Sequence, residues 1–219
     1  MNSNRELVEY LVKSGVLKRR EYIESFLRLD RKDFMWQGYE KYAYEDTPAP
    51  LGDTGQTISA PHMNAYAMEI LEIDKNDIIL EVGAGSGYQA ALIGMYIKTS
   101  NGDGHIYTVE FVEQLYEFAK SNINRVGLND YVTVILGDGS VGWPPKMKYK
   151  LYNKILVSAA ASKPPKYLIN QLKDEGKLLC PIGPPLHQSL YLFVRKGNII
   201  DENKLFPVAF VPLKEWDND

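Results

Sequence analysis

Cysteine is nearly absent from this chain: one residue, Cys180, in 219. No intrachain disulfide can form, and the apolar setting Leu178-Leu179-Cys180-Pro181-Ile182 predicts a buried strand position rather than a reactive thiol. A reducing compartment is therefore expected. No run approaches the roughly 20 apolar residues of a membrane span, and no apolar signal-peptide core stands near the start, so the expected location is the cytoplasm, with no membrane partner. Histidine is scarce too. His62, His105 and His187 are the three present, and with one cysteine they form no metal-ligand spacing, so no metal is expected. Nor do they form a triad-like pattern around Ser59, which lacks the Gly-x-Ser-x-Gly elbow, and this sets hydrolysis aside. An excess of positive charge is also missing. The formal net charge is -3 at pH 7, which gives no basic face for nucleic acid, and none is expected as a partner. The local basic clusters Lys18-Arg19-Arg20 and Arg28-Leu29-Asp30-Arg31-Lys32 are read as solvated helix faces.

What is present is ordinary globular material, 45% hydrophobic and 24% charged, long enough to bury a sizeable core. One domain over 1–219 is expected, with a helical and loop segment at 1–60 and a core at 61–219. Leu7, Tyr10, Leu11, Val16 and Leu17 follow a helical period that Ser14-Gly15 interrupts, and Tyr22, Ile23, Phe26 and Leu27 resume it. The aromatic stretch with Phe34, Trp36, Tyr39, Tyr42 and Tyr44 reads as a loop covering the core. Pro61 suits the first turn of a helix carrying Met63, Ala67, Ile70 and Leu71. Beyond it, strands at 78–82, 106–110, 132–136, 154–157 and 178–181 alternate with helices at 88–97, 112–125 and 165–172. That alternation predicts an α/β, Rossmann-like, doubly wound and mostly parallel sheet. Two final strands, 190–195 and 206–213, lack a helix between them and are predicted to be an antiparallel pair.

The turn after the first core strand reads Glu81-Val82-Gly83-Ala84-Gly85-Ser86-Gly87-Tyr88. Glycines here let a ligand approach the backbone, but Tyr88 stands where a dinucleotide site would place its last glycine. Glu81 sharpens the reading, because a carboxylate just before the turn suits a cationic ligand and repels a pyrophosphate. The pattern is typical of S-adenosylmethionine-dependent methyltransferases. Glu110 ends the second strand, where two carboxylate oxygens can accept from two ribose hydroxyls. Asp138 follows the third and is placed to accept from an adenine amino group, with the Gly139 backbone against the ring. A strand-end cap for Glu81 and a plain turn at Asp138-Gly139 are the structural alternatives.

Thr57-Ile58-Ser59-Ala60-Pro61-His62-Met63 completes the set. Together with the glycine turn and Gly137-Asp138-Gly139-Ser140-Val141-Gly142-Trp143-Pro144, it resembles the protein-L-isoaspartate O-methyltransferases, from about residue 26 to 213. The resemblance implies methyl transfer from S-adenosyl-L-methionine, leaving S-adenosyl-L-homocysteine, to the free α-carboxyl of L-isoaspartyl residues in damaged peptides and proteins. The ester then closes unaided to a succinimide, whose hydrolysis returns part of the material to aspartate. Residue by residue, it implies that Ser59 lies between cofactor and substrate as the catalytic residue. Ile58, Glu81, Gly83, Gly85, Glu110, Asp138, Gly139 and Ser158 would hold the cofactor, and Ser59, Ala60 and Gln188 the substrate. A carboxylate is already ionised near pH 7, so orientation rather than a general base is what such a site must supply. Ser59 as the cap of the helix at Pro61 is the bland alternative. The chain departs from the family in two places. Ser158-Ala159-Ala160-Ala161 stands for Thr-Ala-Ala, and Lys214 follows Val211-Pro212-Leu213 where some members carry threonine, which leaves a C-terminal contact open. A methyltransferase for another acceptor, and a non-catalytic cofactor-binding module, remain the competing readings.

Overall fold

The computed structural model describes residues 1–146 and 149–214, so 215–219, the end of the expected domain, lies outside the described residues. The N-terminal segment opens with α1 (Asn4–Lys13) and α2 (Arg20–Arg28). Ser3 caps α1 by accepting from the Glu6 N–H at 3.2 Å, and the chain turns out of the helix through Gly15 at φ +75°, a left-handed value that a Cβ disfavours. Leu7, Leu11, Tyr22 and Phe26 are buried as their spacing predicts. Tyr22 donates to the Ile73 carbonyl at 2.8 Å and meets Tyr96 edge-on with ring centroids 5.0 Å apart, which locks this segment onto the core. The aromatic loop does cover the core. Phe34 is buried, and Trp36 packs against Phe118 with centroids 4.8 Å apart. Within this loop lies an antiparallel pair, β1 (Ala49–Pro50) and β2 (Thr57–Ile58), too short for any sequence period to reveal.

The core follows in order: α3 (Pro61–Leu71), β3 (Ile78–Val82), α4 (Tyr88–Thr99), β4 (His105–Glu110), α5 (Glu113–Arg125), β5 (Val132–Leu136), β6 (Tyr152–Val157), α6 (Lys166–Gln171), β7 (Leu172–Ile182), β8 (Gln188–Lys196) and β9 (Ile199–Val208). They build a 7-stranded sheet ordered β5-β4-β3-β6-β7-β8-β9. β3 to β7 pair in parallel, while β8 runs antiparallel to both β7 and β9. The sheet is the mostly parallel, doubly wound architecture the alternation predicts. Strand order reverses between β3 and β6, and the crevice outside their carboxyl ends is where such folds take ligands. The glycine turn after β3 opens into that crevice.

Two boundaries depart from expectation. β7 starts at Leu172 rather than 178, directly off α6: Leu172 pairs with Tyr152, the ladder is interrupted over the polar stretch that follows and resumes at Lys177, so no apolar alternation marks its first half. β9 spans Ile199–Val208 instead of 206–213. Its Asp201-Glu202-Asn203-Lys204 stretch has no apolar alternation, yet on an edge strand one side meets water and charges discourage further pairing. Cys180 is fully buried in β7, and burial pushes its thiol up to about 12. Among the described residues no helix is long and apolar enough to cross a membrane. No metal-competent cluster of three His, Cys, Asp or Glu is assembled among them either.

Candidate active site

The turn after β3 is tied to both neighbouring strands: the Gly83 N–H donates to Val109 O at 2.8 Å and the Ser158 N–H to Val82 O at 2.9 Å. Gly85 sits at φ +55°, and its N–H donates to Glu110 Oε2 at 2.8 Å. The other oxygen, Oε1, accepts from the Val112 N–H at 3.0 Å. Glu110 is thus fixed at the end of β4, and each oxygen keeps a second lone pair for a ligand. Gly139 is glycine for space, since a Cβ there would lie 2.6 Å from Val82 Cγ1. Glu81 is buried beneath the turn at 1% exposure, accepting from Thr108 Oγ1 at 2.7 Å and from Ser158 Oγ at 3.3 Å. Burial, against the help of those two hydroxyls and with added repulsion from Glu110, pushes its carboxyl up to about 8. Asp138 caps the short turn Gly139–Val141, its Oδ1 accepting from the Ser140 N–H at 2.8 Å. Gly139, Glu81, Gly83, Gly85, Glu110 and Ile58 all line one cleft of about 740 Å³ with open solvent included, within the usual size range of small-molecule sites.

A second cleft of about 1120 Å³, open solvent again included, lies between α3 and the chain leaving β9. Thr57, Ser59, Ser158 and Val211 belong to the walls of both. Ser59 is half-buried at this junction and Ala60 faces the second cleft. The helix-cap reading of Ser59 does not hold. Ala60 occupies the cap position of α3 without a side-chain bond, and Asp46 does the capping from the preceding loop, its Oδ1 accepting from the His62 N–H at 2.9 Å. Among the described residues the Ser59 hydroxyl makes no hydrogen bond, so it is available to whatever sits between the clefts.

A family model for protein-L-isoaspartate(D-aspartate) O-methyltransferase matches residues 2–218. The chain belongs to this family. Its relatives include the protein-L-isoaspartate O-methyltransferases of Ignicoccus hospitalis, 44% identical with 96% of this chain and 97% of that one covered, and of Thermococcus sibiricus, 44% identical with 94% and 91% covered. Among solved structures, one from Plasmodium falciparum assigned as a protein-L-isoaspartate O-methyltransferase, in complex with S-adenosyl-L-homocysteine, superposes with a TM-score of 0.85 at 29% identity. It covers 98% of this chain and 99% of that one.

In this methyltransferase several residues at the site escape sequence reasoning. Arg31, read as part of a solvated basic face, is a correction: it is 0% exposed. Its guanidinium donates to the carbonyls of Tyr42 at 3.1 Å, Ala43 at 2.9 Å, Thr47 at 3.1 Å and Ser59 at 3.1 Å. A planar fork of donors can satisfy main-chain acceptors from several directions, which is why an arginine is tolerated there. Asn64 and Gln89 form a second buried pair, with Asn64 Nδ2 donating to Gln89 Oε1 at 2.8 Å. Asn64 Oδ1 and Gln89 Nε2 are left buried without a partner among the described residues, on the wall of the first cleft. The C-terminal stretch also joins that wall. Ala160 N–H donates to Val211 O at 2.8 Å and Leu213 N–H to Ala160 O at 2.9 Å, which brings Val211 to Lys214 alongside the first cleft. Gln188 lies behind the second cleft rather than in its wall. Its Nε2 donates to Phe210 O at 3.0 Å and its Oε1 accepts from the Phe210 N–H at 2.6 Å, so its amide shapes the segment that lines the cleft.

Proposed function

We propose that the chain methylates the free α-carboxyl of L-isoaspartyl residues at the junction of the two clefts. S-adenosylmethionine would occupy the first cleft and the damaged peptide the second. The residues present fit the cofactor by their chemistry. Glu110 offers two oxygens with spare lone pairs for a pair of ribose hydroxyls, and Gly139 leaves bare backbone beside the place for a base. The orphaned Asn64 Oδ1 and Gln89 Nε2 supply an acceptor and a donor on two residues that line this cleft. An α-ammonium and α-carboxylate, such as the methionine end carries, would satisfy both and remove a desolvation cost of about 1–3 kcal/mol each. Asp138 supports the adenine side by fixing the turn that presents Gly139. When bound, the cofactor supplies a methyl group activated by its sulfonium.

The residues of the chain have an orienting task. The acceptor is a carboxylate, ionised near neutrality, so no base has to remove a proton. In this reading the Ser59 hydroxyl and the Ala60 N–H would donate to that carboxylate and hold one oxygen toward the first cleft, while Arg31 fixes the Ser59 carbonyl. Ser158 serves the same boundary by holding Glu81. Once esterified, the residue needs nothing further from the enzyme: the following backbone nitrogen attacks the ester, methanol leaves, and the succinimide hydrolyses in part to normal aspartate.

The shared wall of Thr57, Ser59, Ser158 and Val211 is the observation that carries this reading. Ser59→Ala tests it by separating donor from acceptor. Loss of one preorganised hydrogen-bond donor at the reacting group should lower the methylation rate by ~10–1000-fold, while calorimetry finds cofactor affinity close to that of the unsubstituted chain. Turnover at the original rate would remove Ser59 from the mechanism.

A further inference from the structure

Beyond the shared residues, the second cleft is walled by Pro48, His62, Met63 and Tyr66 on the α3 side and by the segment from Phe206 to Phe210 on the other. Tyr66 and Phe206 bridge the two sides, with ring centroids 5.4 Å apart and planes tilted by 51°. His62 meets Tyr66 edge-on at 6.1 Å. No Asp, Glu, Lys or Arg lines this cleft among the described residues. The charge lying behind it, Asp46, is taken up by His62, whose Nδ1 is 2.9 Å from Asp46 Oδ1. Burial opposes the Asp46 charge, but the bonds from His62 outweigh it and hold the carboxyl below its usual range.

We infer that this cleft is a specificity subsite for an apolar, preferably aromatic, side chain on a residue adjoining the isoaspartyl residue, with Tyr66 and Phe206 as its walls. The inference rests on the function proposed above and names a subclass of its substrates. An acceptor carboxylate held at Ser59 leaves the neighbouring residue only ~3.3 Å farther along an extended chain, within reach of the cleft that shares the wall of Ser59. A ring or branched side chain there is removed from water against other rings, in the tilted or edge-on contacts aromatic groups prefer. A charged side chain would give up hydration and find no partner. An acidic one would also face the Asp46 carboxylate through His62. The selection therefore falls on the flank of the damaged residue, not on the damage itself.

The test is a set of isoaspartyl peptides of one length that carry Phe, Leu, Ser or Glu at the residue before or after the isoaspartyl position. On one of the two sides, Phe and Leu should exceed Ser by about 10-fold in kcat/KM, mostly through KM, with Glu below Ser. Phe206 is half-buried on edge strand β9, and the Phe206→Ser variant, its fold checked by thermal melting, should bring the Phe-to-Ser ratio to within about 2-fold. Phe206→Leu should retain most of that ratio. Equal kcat/KM across all peptides on both sides, or full discrimination by Phe206→Ser, would overturn the subsite while leaving the methylation reading intact. Absence of methylation in every isoaspartyl peptide would overturn that reading and the subsite with it.

Discussion

Replacing Arg31 asks whether the site is held by a buried scaffold or only by its local turns. The guanidinium donates to Tyr42, Ala43, Thr47 and Ser59 carbonyls at 3.1, 2.9, 3.1 and 3.1 Å, with Glu45 O more distant at 3.5 Å. Burial lowers its pKa, and Tyr88 and Asp46 act against that shift. Hydrogen bonds from a charged donor contribute ~1.5–3 kcal/mol each, but Arg31→Ala also relieves the cost of burying a cation. The substitution leaves those carbonyls without their donor, at ~1–3 kcal/mol each before that relief, so a net loss of roughly 3–5 kcal/mol is expected. For a chain of this size each kcal/mol moves Tm by ~2–4 °C, so Tm should fall by roughly 10 °C. Activity should suffer separately, because a shift near 1 Å in the Ser59 segment can lower kcat/KM by ~100-fold. Arg31→Lys, with fewer donors on a point charge, should fall between the two in stability and recover only part of the rate. Thermal melting and methylation of an isoaspartyl peptide measure both effects. If Arg31→Ala melts within ~2–4 °C of the original, the shift that a loss of only ~1 kcal/mol gives, and turns over at the same rate, Arg31 is not a scaffold for the site.

Glu110→Ala should remove charge-assisted bonds to the ribose and weaken S-adenosylmethionine binding by ~2–4 kcal/mol, roughly 30-fold to nearly 1000-fold; calorimetry with unchanged affinity would reject that assignment. Glu81 gives a pH dependence. Its folded carboxyl stands at about 8 against an ordinary value of 4.5, so between those limits the unfolded chain sheds a proton that the folded chain keeps. Stability is then lost as pH rises through that window, by up to ~1.4 kcal/mol per pH unit. In the ligand-free protein Glu81→Gln, which cannot ionise, should gain on the original between pH 5 and pH 8, and parallel denaturation profiles at those two values would contradict the buried carboxyl.

The legible parts of this molecule are those whose cause is local. Gly85 and Gly87 mark the turn because it needs φ values of +55° and +80°. Glu110 is legible because it is the last residue of a strand whose apolar run is plain. The antiparallel ending follows from a Gly197-Asn198 turn with too few residues for a helix. Local rules fail where partners are distant in sequence. Ser59 before Pro61 looks like a cap, but Asp46 takes that place from 16 residues upstream of His62. Arg31 stands among charges that point to solvent, and only the folding of the 42–47 loop and Ser59 around it supplies acceptors for a buried guanidinium. Asn64 and Gln89, 25 residues apart, meet only in the folded chain, so neither their bond nor their orphaned atoms can be seen from local sequence. β9 hides because the edge of a sheet asks for charge where the interior asks for alternation.

In the proposed function the junction at Ser59 holds an isoaspartyl carboxylate for methylation and misplaces an aspartyl one. The isoaspartyl linkage adds a methylene to the main chain and leaves the α-carboxylate free, whereas aspartate carries the same charge on a side chain, and an error near 1 Å costs ~100-fold in rate. Methyl-labelled S-adenosylmethionine, incubated with the protein and two peptides differing only in that linkage, measures this directly. A base-labile label on the isoaspartyl peptide is expected, with the aspartyl control lower by about that factor. Equal labelling, or a base-stable product on nitrogen or a hydroxyl, would contradict it.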